Sequence, residues 1–154
     1  MRGATLNMRT LGGFGFDFVH ALAHLGPYME KHDIDVLFLT ETHCTGRLDE
    51  IINMGRKAYR VIASGLESVH QQGVAFIIRT GANIVVRDII YDEVEPGRIL
   101  RLAAEMDDRV YHLIGTYVPA FNLNDRTERE DMAIFSNFLL LLEGHMSTKR
   151  CLIF

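Results

Sequence analysis

The chain reads as an α/β domain of the α+β kind, with a mixed, largely antiparallel sheet and helices on a flank. Three features predict this. Val36-Leu37-Phe38-Leu39 is an apolar run with no polar alternation, the pattern of a strand covered on both faces. Between Gly73 and Val118, four strand-like segments follow one another through short turns. Apolar residues recur at helical spacing in Phe18, Leu22, Leu25 and Met29, and again in Ile134, Phe138 and Leu141 or Leu142. With 154 residues, 48% apolar and 23% charged, the chain has the size and composition of one globular domain.

In chain order, Ala4 to Arg9 is a short strand, ended by Gly12, Gly13 and Gly15. Asp17 can cap the first helix, and Gly26-Pro27 is expected to kink or split it, because proline has no amide hydrogen and crowds the preceding turn. The buried strand 34–41 follows and delivers Glu41 at its carboxyl end, where open α/β sheets place ligands. Leu48 to Lys57 is expected to be a short helix and Tyr59 to Ser64 a strand. Strands are then expected at 73–79, 83–90, 98–105 and 109–118, with Asp107-Asp108 as a tight hairpin turn. Four such segments in succession predict an antiparallel meander. Asn124-Asp125 can cap a helix over 127–143, and Lys149 to Phe154 begins a further strand. Neighbouring apolar pairs, Ile77-Ile78 and Leu113-Ile114, put apolar groups on both faces of the sheet, so a second layer must cover it.

Composition narrows the function classes. A net charge of −4 excludes coating of polyanions by bulk charge, so any phosphate contact must be local. Cys44 and Cys151 form neither a metal spacing nor a disulfide framework, which points to a reducing intracellular compartment. The amino terminus lacks the apolar run of a signal peptide, and no apolar stretch is long enough to span a bilayer.

Several constellations read as structural. His20 and His24 lie four apart, but Ala21 stands where a zinc protease carries its Glu, and no third ligand is near; they read as surface histidines. His43-Cys44 has no matching base for a nucleophilic thiol. Gly12, Gly13 and Gly15 fit no phosphate-cradle spacing, and Asp92, Glu93 and Glu95 beside Pro96-Gly97 read as a solvated loop.

Four stretches carry a resemblance: Thr5-Leu6-Asn7-Met8-Arg9, Asp35 through His43, Gly97-Arg98, and Gly115-Thr116-Tyr117-Val118-Pro119. In this order they resemble the N-terminal portion of the endonuclease/exonuclease/phosphatase superfamily. That group includes apurinic endonucleases, pancreatic-type deoxyribonucleases, inositol polyphosphate phosphatases and the endonuclease domains of non-LTR retrotransposons. The Glu41-Thr42-His43 wording looks most like the retrotransposon type. The resemblance implies the N-terminal part of a four-layer α/β/β/α sandwich acting on DNA or another phosphoester, with Mg²⁺ or Mn²⁺ as cofactor and, for DNA, a nuclear setting. It implies Glu41 as the metal carboxylate, Asn7 at the metal and phosphate site, Tyr117 beside the scissile phosphate and Arg126 as a phosphate contact.

The chain also departs from the family pattern. Ala120 follows Pro119 where the family often has Asn, moving that contact to Asn122 or removing it. A Gly-Asp-x-Asn segment, a later Asp and the catalytic His are expected after a strand like 149–154, and this sequence holds none of them. The whole of residues 1–154 is therefore expected to be a truncated domain, inactive alone. Removing one such acid–base or stabilising group costs about 10²–10⁴-fold. The alternatives are a non-catalytic binding module or degenerate gene fragment, and a phosphoinositide or other phosphoester phosphatase. Truncation is further expected to leave Phe38, Ile77 and Leu113 on a partly open apolar face, which would drive self-association.

Overall fold

The computed structural model describes residues 1–8, 18–65, 73–93, 96–117 and 151–154, with positions 133, 136, 139 and 140 of the later helix. Described elements run β1 (Gly3–Asn7), α1 (Phe18–Lys31), β2 (Val36–Thr40), β3 (Arg47–Met54), β4 (Lys57–Ser64), β5 (Val74–Arg79), β6 (Val85–Tyr91), β7 (Ile99–Met106), β8 (Arg109–Thr116) and β9 (Cys151–Ile153). They form two mixed sheets. The first has the order β1-β2-β5-β4-β3 and the second β6-β7-β8-β9. Among the described strands, only β1–β2 and β8–β9 pair in parallel; the remaining neighbours are antiparallel.

The apolar run of β2 has the environment its composition demands. Leu37 and Leu39 join Leu22, Leu25 and Met29 of α1 in one core, while Val36 and Phe38 join Leu100, Leu102 and Leu113 of the second sheet in another. Alternate residues therefore face a helix and a sheet, and neither face is left for polar groups. β5 divides in the same way, with Ala75 and Ile77 toward α1 and Val74, Phe76 and Ile78 between the sheets. Phe38 and Phe76 are fully buried with ring centroids 4.9 Å apart. Each contributes about 1.5–3 kcal/mol of burial.

Several expectations are corrected. Residues 47–54 form a strand, not a helix: all eight pair in register with β4, and the residues that turn inward, Leu48, Ile52 and Met54, all lie at even positions on one strand face, while Ile51 on the other is exposed. Apolar residues at 48, 51 and 52 fit a helix locally, but pairing along the whole length of β4 prevails. The meander is divided between sheets, since β5 pairs with β2 and β4 while β6, β7 and β8 form the second sheet. α1 is not split at Pro27, which sits in one continuous helix. Pro27 is exposed, and Tyr59 Oη donates to the Gly26 carbonyl oxygen at 3.1 Å, tying this turn to the sheet. The chain itself supplies the layer that covers the sheet, so Phe38, Ile77 and Leu113 are fully buried rather than open.

The Asp107-Asp108 turn forms as expected, both residues having positive φ, +51° and +58°, as a two-residue hairpin of the primed type requires. Gly12, Gly13, Gly15, Asp17, the Asn124-Asp125 cap and most of the 127–143 helix lie outside the described residues, although Ala133, Ser136, Leu139 and Leu140 are helical. Among the described residues, no helix is long and apolar enough to cross a membrane.

Candidate active site

The two sheets bring several strand ends together. Across the first sheet, Asn7, Thr40, Val74, Ser64 and Arg47 are successive register partners, so one row of residues marks its edge. In the second sheet β7 starts and β8 ends at the same level, with Ile99 opposite Thr116. Glu41 follows Thr40 directly. It adopts φ +53°, an uncommon left-handed conformation for a Glu, and His43, of a residue type that tolerates this region better, does the same. Such strain collects where a structure holds a side chain in one required direction.

The direction in question is toward two donors. Asn7 Nδ2 donates to Glu41 Oε1 at 2.9 Å, and Tyr117 Oη donates to the same oxygen at 3.0 Å. All three side chains are half-buried. Two residues, 34 and 76 positions from the carboxylate, thus converge on one of its oxygens. The parallel register of β1 on β2 puts Asn7 beside Thr40, and Tyr117 continues the β8 path, its amide donating to the Arg98 carbonyl at 2.8 Å. Asn7, Glu41 and Tyr117, each singled out in the sequence, therefore occupy one place. Arg126 lies outside the described residues.

The donor set suits a hard cation. The Glu41 carboxylate and the Asn7 amide oxygen would both offer oxygen to such an ion, and Asn7 presents its nitrogen, not its oxygen, to Glu41. Among the described residues, no group of three or more His, Cys, Asp and Glu side chains gathers around one point. Mg²⁺ is commonly held by one or two carboxylates, with water and substrate phosphate filling the other positions, so these residues fit it as a partial set. Cys44 is not a nucleophile of this site: it is buried, burial pushes its thiol pKa up, and it receives the Thr42 hydroxyl hydrogen at 3.1 Å. His20 and His24 are exposed on α1. In the acidic loop, Glu93 is exposed and pairs with Arg47 at 3.1 Å.

The residues that support the site were missed by sequence reasoning. Thr42 and Ser64 are the two buried polar residues among those described, and both lie at these strand ends. Around them Gly65, Gly73 and Gly97 pack so closely that a Cβ on Gly65 would lie 1.9 Å from the Cys44 oxygen and one on Gly73 2.4 Å from Thr42 Oγ1. Glycines flanking strand ends were the available signal, and Gly97 does stand in one of the motif stretches.

No family model matches the chain, and no curated protein matches it. Among solved structures, the chain is similar to an AP endonuclease from Archaeoglobus fulgidus, with 17% identity and a TM-score of 0.55 over 88% of this chain and 48% of that one. It is similar to the APE2 catalytic domain of Xenopus laevis, with 14% identity and a TM-score of 0.60 over 90% of this chain and 52% of that one. It is also similar to a truncated Caenorhabditis elegans TDP2, with 13% identity and a TM-score of 0.51 over 97% of this chain and 57% of that one. At these identities the likeness shows the fold, which is that of the endonuclease/exonuclease/phosphatase group. The chain spans about half the length of the structures it matches.

Proposed function

We propose that this chain carries the glutamate-bearing part of a Mg²⁺-dependent phosphodiesterase site that acts on DNA, of the retrotransposon-endonuclease type, and that alone it turns over little or no DNA. The observation that supports this reading is the convergence of Asn7 and Tyr117 on one oxygen of Glu41 at the strand ends. Glu41 and the Asn7 amide oxygen would hold the ion. A bound divalent cation neutralises charge that builds on phosphoryl oxygens. Asn7 and Tyr117 fix the carboxylate in one rotamer, so the ligand is in place before substrate arrives. The phenol of Tyr117, half-buried beside Glu41, would also contact a phosphate oxygen of the substrate. Low turnover follows from what the sequence lacks: it has no Gly-Asp-x-Asn segment to supply a water-orienting carboxylate. The Glu41-Thr42-His43 wording supports the retrotransposon type, for which the nucleus is the proposed setting.

Two measurements test this. Mn²⁺ titrated into the chain, followed by electron paramagnetic resonance, is expected to saturate in the millimolar range and to lose its site in Glu41→Gln. Supercoiled plasmid incubated with the chain and Mg²⁺ is expected to stay essentially intact. Absence of saturable Mn²⁺ binding sinks the metal assignment, and vigorous nicking that disappears in Glu41→Ala sinks the expectation of low turnover.

A further inference from the structure

Glu41 leaves the first sheet and Tyr117 leaves the second, so the 3.0 Å bond between them depends on how the two sheets sit against each other. Most of what joins the sheets is apolar contact among Val36, Phe38, Ile62, Leu100, Leu102 and Leu113. Such contact is strong but non-directional and does not by itself fix a sliding register to a few tenths of an ångström. Directional bonds do, and at the site end there is a run of them. The Thr42 amide donates to the Gly73 carbonyl at 3.1 Å, and the Gly73 amide donates to the Gly97 carbonyl at 3.1 Å. The Gly97 amide donates to Ser64 Oγ at 3.2 Å. Next along the chain, the Arg98 carbonyl accepts the Tyr117 amide at 2.8 Å.

The segment that starts β7 is therefore gripped on its carbonyl side by β5 and on its amide side by β4, and it holds Tyr117 in turn. Space enforces the same contact, since a Cβ on Gly97 would lie 3.2 Å from both Gly65 Cα and Gly73 N. Within this run the one side-chain group is the Ser64 hydroxyl, on a residue only 1% exposed.

We propose that Ser64 is a positioning residue for the site: by holding the Gly97 amide it fixes the second sheet against the first and so keeps the Tyr117 hydroxyl on Glu41. The proposal rests on the divalent-metal reading only for its effect on ion affinity; the effect on Tyr117 stands apart from it. Removing the hydroxyl loosens the start of β7, lengthens or breaks the Tyr117–Glu41 bond, and leaves the carboxylate with Asn7 as its remaining donor of the pair.

The test uses the whole chain with ¹³Cζ-labelled tyrosine, the Tyr117 resonance being assigned by its loss in Tyr117→Phe. Ser64→Ala is expected to move the Tyr117 resonance most of the way toward that of an exposed phenol. It is also expected to weaken Mn²⁺ binding on the order of tenfold, the lower end of what loss of a metal ligand's partner costs. Ser64→Thr, which keeps the hydroxyl, restores both. In a Tyr117→Phe background Ser64→Ala adds little further loss of affinity, because the two act through one bond. If Ser64→Ala does not fold, Ser64→Cys replaces it, its thiol being a poor acceptor. A lowered melting temperature with an unmoved Tyr117 resonance means a structural role only and overturns the proposal. Losses that simply add between Ser64→Ala and Tyr117→Phe overturn it as well. Wild-type chain that binds no Mn²⁺ overturns the metal reading, while the resonance still decides the role of Ser64.

Discussion

Gly115 stands in one of the motif stretches, two residues before Tyr117, yet its place is set by packing. A Cβ built on it would lie 2.0 Å from Phe38 Cε2, 2.4 Å from Cδ2 and 2.6 Å from Cζ. Gly115→Ala therefore requires the ring to retreat by about 1.4 Å, the gap between 2.0 Å and the 3.4 Å at which ordinary contact begins. Phe38 has no space for this, being fully buried with the Phe76 ring 4.9 Å away and that of Phe154 5.5 Å beyond Phe76. β8 cannot back off either. It is paired with β7 on one side, Leu100 opposite Gly115, and with β9 on the other, where the Phe154 amide donates to the Ile114 carbonyl at 2.9 Å. Overpacking of this kind costs about 1–3 kcal/mol. At about 2–4 °C per kcal/mol for a domain of this length, a middle value of ~2 kcal/mol lowers the melting temperature by ~4–8 °C.

Thermal and urea denaturation followed by circular dichroism measures the loss. Phe38→Leu removes the colliding ring atoms, so the double variant is expected to be more stable than the sum of the single losses by ~1 kcal/mol or more. Gly81→Ala is the control: it meets open space but has φ +84°, so its cost of about 1–2 kcal/mol is backbone strain that Phe38→Leu does not relieve. A melting temperature for Gly115→Ala within about 1 °C of wild type, or strict additivity with Phe38→Leu, would refute the collision.

Two further outcomes follow from buried groups on the helix side. Burial, and next to it the Glu30 carboxylate, raises the Tyr59 pKa above its ordinary 10.0, so the folded state favours the protonated phenol; stability from this source is whole below about pH 10 and is lost as pH rises beyond it. Melting curves of wild type and Tyr59→Phe from neutral to strongly alkaline pH are expected to converge upward of that point. Below it the variant is ~1 kcal/mol less stable for loss of the bond to Gly26, and a constant offset at all pH values contradicts the assignment. Cys44, with its thiol pKa raised by burial, is expected to react with N-ethylmaleimide orders of magnitude more slowly in the folded chain than in urea. Mass spectrometry that found similar rates in the two states would count against the packing of Thr42 and Cys44.

Much of the local structure was legible in the residues themselves. The apolar run 36–39 announced a strand covered on both faces, and the Asp107-Asp108 pair announced a hairpin turn, since Asp tolerates positive φ. Glu41 was legible as a carboxylate at the end of a buried strand, but Asn7 and Tyr117 as its companions were legible only through resemblance: nothing in the spacing of the three shows that they meet. The strand at 47–54 was misread because Leu48, Ile51 and Ile52 satisfy a helical stripe locally, while the eight-residue pairing with β4 that decides the matter involves another segment. The left-handed backbone at Glu41 had no signature either, for Glu seldom adopts it.

Residue type and period thus determined where the chain is extended, where it turns and which side chains avoid water, because these depend on neighbours a few positions away. Tertiary structure alone decided that consecutive strands separate into two sheets, that Ser64 and Gly97 join them, and that two distant side chains donate to one carboxylate oxygen. Such facts are sums of many contacts between segments far apart in sequence, and no short window of residues contains them.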